Sequence, residues 1–454
     1  MKILLISSSA RGHSIADALA RSPQNPDIIS ICPSVNPGIK KLSIEQHVMS
    51  IMDFEGILKI ASDTKPDFAI IGPEDPIGGG LADELEKIGI RSVAPKKSLA
   101  RIEASKGFAR NLFEKYSIDA SPKFKVFGST DDSSLSTFIE QDLDGNFVVK
   151  YDALKGGKGV KVSGEHLNSV DEGIAYAKEC IEECGSVVVE DKLVGPEFSL
   201  MSFTSGLQVI DTPAVQDHKR AYEGDTGPNT GGMGTYSDAD HSLPFLEASD
   251  IARASEINKL TAKALMDECP EHAEGYIGFL YGGFIVTKDG VKVIEYNCRL
   301  GDPEALNIMP LLESDFVAIC LSMLDGNLSE DMVKCAKKAT VCKYITPESY
   351  PVSKDQKGEL VTFPKIPDEA ALYFGDISEA ENGSLHLGGS RTAGIVGLGS
   401  TLEEAEQTAQ SFCEQVTGPI RFRSDIGSDA LIQQRVLQAK SIRSDNQHNT
   451  ATVT

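Results

Sequence analysis

Apolar positions in the first hundred residues fall into short blocks separated by amphipathic stretches. Residues 2–7 (KILLIS), 27–32 (DIISIC), 67–71 (DFAII) and 91–95 (RSVAP) are brief apolar runs. Between them HSIADALARS, MDFEGILKIASDT and ADELEKIG repeat their apolar residues every three or four positions, as helices do. Alternating strands and helices predict an open parallel sheet with ligands at the carboxyl ends of its strands. Two such ends are polar loops: residues 7–14 (SSSARGHS), with Arg11 and His13, and residues 72–76 (GPEDP), with Gly72 and Glu74. Neither matches G-x-G-x-x-G, so a nicotinamide dinucleotide is not implied.

Further along, 99–118 reads as one amphipathic helix carrying Lys106. Residues 146–162 (NFVVKYDALKGGKGVKV) read as strand, glycine-rich loop, strand. Gly156, Gly157 and Gly159 let backbone N–H groups approach phosphate oxygens, and Lys155 and Lys158 add charge. The G-x-x-x-x-G-K-[ST] spacing is absent and a strand follows, so a β-hairpin lid is expected rather than a helix-dipole cradle. A helix at 170–184 leads to two strands in 186–203, whose connector bears Glu190, Leu193 and Glu197 and suits an adenine edge and ribose hydroxyls. Residues 217–234 (DHKRAYEGDTGPNTGGMG) read as a long irregular loop in which Asp217 precedes the basic run holding Lys219. Long loops inside compact domains are usually functional.

A helix at 247–268 then precedes two strands joined by the turn signal Asp289-Gly290, at 279–286 and within 291–304 (VKVIEYNCRLGDPE). Period-two geometry puts Val291, Val293, Glu295 and Asn297 on one face. Glu295 and Asn297 then lie roughly 7 Å apart, a spacing at which a carboxylate and an amide can grip hard cations held by phosphate oxygens. Arg299, Asp302 and Glu304 crowd the following Gly-Asp-Pro turn, which can wrap a small polar ligand. A helix at 314–324 closes the middle region. From about 333 a third, α+β unit begins, with the loop HLGGSRT between strands and a helix over 401–416. Residues 440–454 lack apolar periodicity and are expected to be disordered.

Composition changes this picture little, but charge and cysteines narrow it. With 41% hydrophobic and 24% charged residues, the 454-residue chain is too apolar for wholesale disorder and long enough for two to four domains. A net charge of −23, from 44 Lys+Arg against 67 Asp+Glu, argues against a nucleic-acid surface and makes local basic islands informative. Nine cysteines without a Cys-x-x-Cys pair read as reduced thiols in a cytoplasm. No run approaches the ~18 apolar residues of a membrane span, and the N-terminal run is too short for a signal peptide. Small-molecule substrates, no nucleic acid or membrane, and a monomer or weak dimer are the expectations.

In this order, the lid KYDALKGGKGV, the stretch DHKRAYEGDTGPNTGGMG, GFLYGG and VIEYNCRLGDPE resemble the glycinamide ribonucleotide synthetases, which belong to the ATP-grasp superfamily. The resemblance covers roughly 1–427. It implies an α/β and α+β multidomain fold. An N-terminal open parallel-sheet domain (1–100) would be followed by an ATP-grasp domain (101–325, lid about 120–195). A small C-terminal α+β domain (326–427), a helical end and a disordered tail (428–454) would complete it. It implies ATP-dependent ligation of glycine to 5-phosphoribosylamine, in purine biosynthesis. Mg²⁺ or Mn²⁺ maps onto Glu295 and Asn297. ATP contacts map onto Lys106, Lys150, Lys155, Gly156, Gly157, Lys158, Gly159, Glu190, Leu193 and Glu197. Arg299 and Lys219 take catalytic places, and Arg11, His13, Gly72, Glu74, Asp217, Asp302 and Glu304 bind substrate. Two departures stand out. The usual G-x-G-G-R-E-H-A opening is SSSARGHS here, and Leu306 stands where Gln or Glu is common. A ligase of different amine specificity and a non-catalytic ATP-binding regulator are the alternatives.

Overall fold

The computed structural model describes residues 1–130, 133–156 and 158–450. Its first sheet has five parallel strands in the order Glu45–Val48, Asp27–Cys32, Lys2–Ile6, Phe68–Ile71, Ser92–Val93. The inner strands are buried along nearly their whole length, as parallel strands covered on both faces must be. Strand order reverses beside Lys2–Ile6, so the crevice between its carboxyl end and that of Phe68–Ile71 is the topological switch point. Neither polar loop expected there is a loop throughout. A helix starts at Ser9 and runs to Ala20, placing Arg11 and His13 in its first turns, and Glu74 opens the helix Glu74–Gly79. The short apolar strands gave no warning that helices would begin so soon after them. A helix Pro37–Leu42 and the edge strand Glu45–Val48 were not read from the sequence.

The expected helix over 99–118 is two. Arg101–Ala104 stops at Ser105, whose hydroxyl accepts from the N–H of Phe108 and caps Lys106–Lys115. An N-capping serine competes with helix continuation. The chain then enters an antiparallel sheet of Phe124–Phe127, Val187–Asp191, Phe147–Tyr151 and Val160–Val162. With helix Val170–Cys184 it encloses its own apolar core around Phe127, Phe138, Phe147 and Val189.

A third sheet, also antiparallel, orders Gln208–Asp211, Glu197–Ser205, Ile277–Thr287 and Gly290–Asn297, with helix Ala248–Glu268 packed on it. The stretch 217–234 is more regular than its composition indicates. Strands Gln216–Asp217 and Gly234–Ser237 extend the C-terminal sheet of Ala339–Pro347, Ala393–Gly399 and Ala370–Phe374. Between them Arg220–Tyr222 and Thr226–Asn229 form a hairpin. Its anchor lies about two hundred residues away: fully buried Arg423 donates to Asp225 at 2.8 Å and to the Arg220 carbonyl at 3.0 Å. Local sequence cannot show such a hold.

The last helix, Asp429–Thr450, runs through most of the stretch read as disordered. Arg443 fixes it by pairing with Asp250 and donating to the Phe245 carbonyl. Residues 451–454 lie outside the described residues. Leu306 is fully buried against Ala10, Tyr344 and Val396, so an apolar residue fits that position here. Among the described residues no helix is long and apolar enough to cross a membrane.

Candidate active site

The site is built around a bulge. Gly283 pairs with Glu295 but Phe284 pairs with Val293, leaving Ile294 as an extra residue. The slip sends Val291, Val293 and Tyr296 into one core and turns Glu295 and Asn297 to the opposite side. Strict alternation had put all four named residues on one face; only Glu295 and Asn297 share it. The Ile294 carbonyl accepts from Arg110 Nη2 at 3.0 Å and Lys150 Nζ at 2.9 Å. Arg110 also forks onto Glu190 at 2.8 and 3.1 Å, and Lys150 pairs with the same carboxylate. Burial alone would raise the Glu190 pKa, but these two cations outweigh it and hold the group below its ordinary value.

Glu295 sits in a ring of positive charge drawn from four segments. Burial would push its pKa up, yet Lys219, Lys106, Lys150 and Arg299 together bring it down, so it is ionised. Conversely, burial lowers Lys219, and Glu197, Glu295, Asp217 and Glu304 more than offset this. The described residues hold no cluster of three or more His, Cys, Asp or Glu suited to a metal. One ionised carboxylate and one neighbouring amide therefore fit a hard cation that completes its shell with phosphate oxygens, rather than an all-protein cage.

On the side of the first sheet, Arg299 Nε meets Glu74 at 3.2 Å and its Nη2 meets Glu103 at 3.7 Å. Arg11 Nη1 donates to the Leu300 carbonyl at 2.9 Å, and Nη2 lies 3.7 Å from Glu74. Burial works against the Glu74 charge, but Arg299 and Arg11 take its pKa down to about 2. Gly72 lets the two central strands converge here, since a Cβ would stand 2.5 Å from Ser7 Oγ. Asp302 accepts from Ser9 Oγ at 2.6 Å and from Tyr344, and faces Arg391 at 3.4 Å. Despite burial these contacts hold it at about 2, Arg391 and Arg11 being the main charges. Ser9 has φ +66°, the left-handed region that favours glycine. Glu304 accepts from Tyr281 at 2.8 Å. Asp217 lies nearby, and burial with the Glu304 charge raises its pKa well above the ordinary range.

Not every residue read from the sequence gathers here. His13 Nδ1 accepts from the Phe374 N–H at 2.9 Å, and its ring meets Tyr373 edge-on. Burial takes its pKa to about 4. It docks the first sheet's helix against the C-terminal sheet, whereas Arg11, two residues away, turns to the crevice. Lys155 is exposed, pairs with Glu183 at 2.6 Å and lies over the Tyr151 ring. Lys158 and Gly156 are exposed too, and a Cβ on buried Gly159 would lie 2.7 Å from Tyr151 Cβ. Gly157 lies outside the described residues. Leu193 is half-buried on the connector, and exposed Glu197 lies 3.9 Å from Lys219.

Four neighbours were missed. Arg110 and Glu103 were hidden in what read as an ordinary amphipathic helix. Tyr281 stands within an apolar strand. Arg391, from HLGGSRT, donates to the carbonyls of Gly231, Gly232 and Asp302 at 2.8, 3.0 and 2.9 Å. The paired glycines of that loop were its only local signal.

Models of phosphoribosylglycinamide synthetase match three consecutive stretches: its N domain over 1–103, its ATP-grasp (A) domain over 104–305 and its C domain over 340–429. The chain belongs to the phosphoribosylglycinamide synthetase family. A phosphoribosylamine–glycine ligase of Methanococcus maripaludis (strain C7) is 43% identical over 449 residues, covering 97% of this chain and all of the relative. One from Methanopyrus kandleri is 42% identical over 458 residues, covering 98% of this chain and all of the relative. The crystal structure of phosphoribosylamine–glycine ligase from Thermotoga maritima superposes with a TM-score of 0.77 at 29% identity, over 94% of this chain and 100% of that one. The family's fold, a parallel-sheet N domain joined to an ATP-grasp domain, is the fold described above.

Proposed function

We propose that this family member joins the carboxyl group of glycine to the amine of 5-phosphoribosylamine while ATP is split to ADP and phosphate, in purine biosynthesis. The observation that carries the reading is the ionised Glu295, beside Asn297, inside a ring of cations from four segments. A triphosphate and a hard cation together would fit that charge pattern.

Lys106 and Lys150, with the 155–159 loop (Lys155, Gly156, Gly157, Lys158, Gly159) as lid, would hold the phosphates. Because Glu190 spends its oxygens on Arg110 and Lys150, the connector backbone and Leu193 would meet the adenine, and Glu197 the ribose. Glu295 and Asn297 would hold Mg²⁺ or Mn²⁺, which would neutralise phosphate charge when bound. Arg299 and Lys219 would face the phosphoryl group in transfer, where fixed charge does most of the catalysis. Arg11, Gly72, Glu74 and Asp302 would receive the phosphoribosylamine at the switch point. Asp217 and Glu304 would lie beside the glycine.

A carboxylate is a poor electrophile, so the order of bonds follows. A glycine carboxylate oxygen attacks the γ-phosphorus and the bond to ADP breaks. The amine nitrogen attacks the resulting acyl phosphate, phosphate leaves, and the nitrogen loses a proton. Lid closure would shield the acyl phosphate from water. The nine cysteines are unpaired, which supports a reducing cytoplasm. The test is ADP release by the full chain with MgATP, glycine and freshly generated 5-phosphoribosylamine, each omitted in turn. Release should need all three; equal release with unrelated amino acids and no amine would contradict the assignment.

A further inference from the structure

Asp152 follows the lid's first strand by one residue and has no part in the chemistry above. Its Oδ1 accepts from Ser105 Oγ at 2.9 Å and from the Gly107 N–H at 2.8 Å. Its Oδ2 accepts from Ser186 Oγ at 2.7 Å. The residue between its two partners on the helix is Lys106, the first residue of Lys106–Lys115. Ser186 leads into strand Val187–Asp191, which carries Glu190. Gly107 makes room for the carboxylate: a Cβ there would stand 2.8 Å from Asp152 Oδ2. One side chain thus ties the lid's root, the start of the Lys106 helix and the strand bearing Glu190 at a single point.

We propose that Asp152 is a positioning residue that sets Lys106 against Lys150 and Glu190 for the nucleotide phosphates. Without it the Ser105 hydroxyl and the Gly107 N–H, on either side of Lys106, lose their shared anchor, and the start of the Lys106 helix is no longer tied to the lid's root. The proposal rests on the reading that Lys106 contacts ATP, and the test separates the two. The Kd of MgATP for the full-length protein is measured by titration calorimetry in wild type, Asp152→Ala, Asp152→Asn, Lys106→Met and the double variant Asp152→Ala/Lys106→Met. Asp152→Ala should weaken binding about tenfold, or about 1.4 kcal/mol. Asp152→Asn keeps an oxygen for Gly107 and an amide for Ser186, so it should stay within about threefold of wild type. In the Lys106→Met background, removing Asp152 should change Kd less than about twofold, because residues acting as one unit are not additive. An equal tenfold loss in both backgrounds, or none in either, overturns the positioning role. An unchanged Kd for Lys106→Met alone overturns the nucleotide reading of Lys106 itself. If Asp152→Ala does not fold, Ser186→Ala removes one of the same bonds and leaves the Ser105 cap in place. A loss of about threefold that vanishes in the Lys106→Met background supports the proposal; one that persists overturns it.

Discussion

Glu295→Gln is expected to cut turnover by two to three orders of magnitude while the protein stays folded. The substitution keeps the size and one acceptor oxygen but removes the charge that faces Lys219, Lys106, Lys150 and Arg299. Removing one fixed-charge contact from a transition state commonly costs ~3–4 kcal/mol. The binding of a divalent cation should weaken in parallel, since hard cations favour charged oxygen. Folding survives because Glu295 faces the cleft, whereas Val291, Val293 and Tyr296 pack into the core on the other side of the bulge. Steady-state kinetics over a magnesium titration checks this. Near wild-type kcat at saturating magnesium would remove Glu295 from the site.

The second large effect belongs to Arg299, which touches both Glu74 and Glu103 in a buried cluster. Arg299→Met should abolish measurable turnover and lower stability by ~3–5 kcal/mol, the usual cost of leaving buried charge uncompensated. Its pH dependence distinguishes this cause from lost packing. In wild type Glu74 has a folded pKa of about 2, depressed from its unfolded value. Its stabilisation is therefore present above ~pH 4.3 and lost as pH falls toward 2. Without Arg299, Glu74 loses the main charge that opposes its burial and its pKa rises, and that of Glu103, already raised by burial in wild type, rises further. The variant then takes up protons on folding and gains stability as pH falls. The deficit measured by urea denaturation should be larger at pH 8 than at pH 5. A deficit independent of pH would show that Arg299 acts through packing alone.

Much of this architecture was legible because it rests on local periodicity. Four of the five parallel strands, the lid hairpin and the Glu295 hairpin follow from apolar spacing and turn residues; the half-exposed edge strand Glu45–Val48 does not. The Glu295–Asn297 pair was legible for the same reason, being two residues apart on one strand. What the sequence hid was set by distant partners. Ile294 reads as one more apolar strand residue, yet it is the bulge that separates Val293 from Glu295. The hairpin within 217–234 depends on Arg423, and His13 is claimed by the backbone of Phe374. Arg11 and His13 look alike in a polar run, and only the start of a helix at Ser9 sends them in different directions.

Phosphorylation of the glycine carboxylate is the step on which the proposed reaction depends. The most direct measurement follows the carboxylate oxygen: the complete reaction is run with glycine labelled with ¹⁸O in both carboxylate positions, and the released phosphate is analysed by mass spectrometry. Attack on the γ-phosphorus followed by displacement of phosphate carries one labelled oxygen into each phosphate. Phosphate without label, formed together with the amide product, would contradict the account.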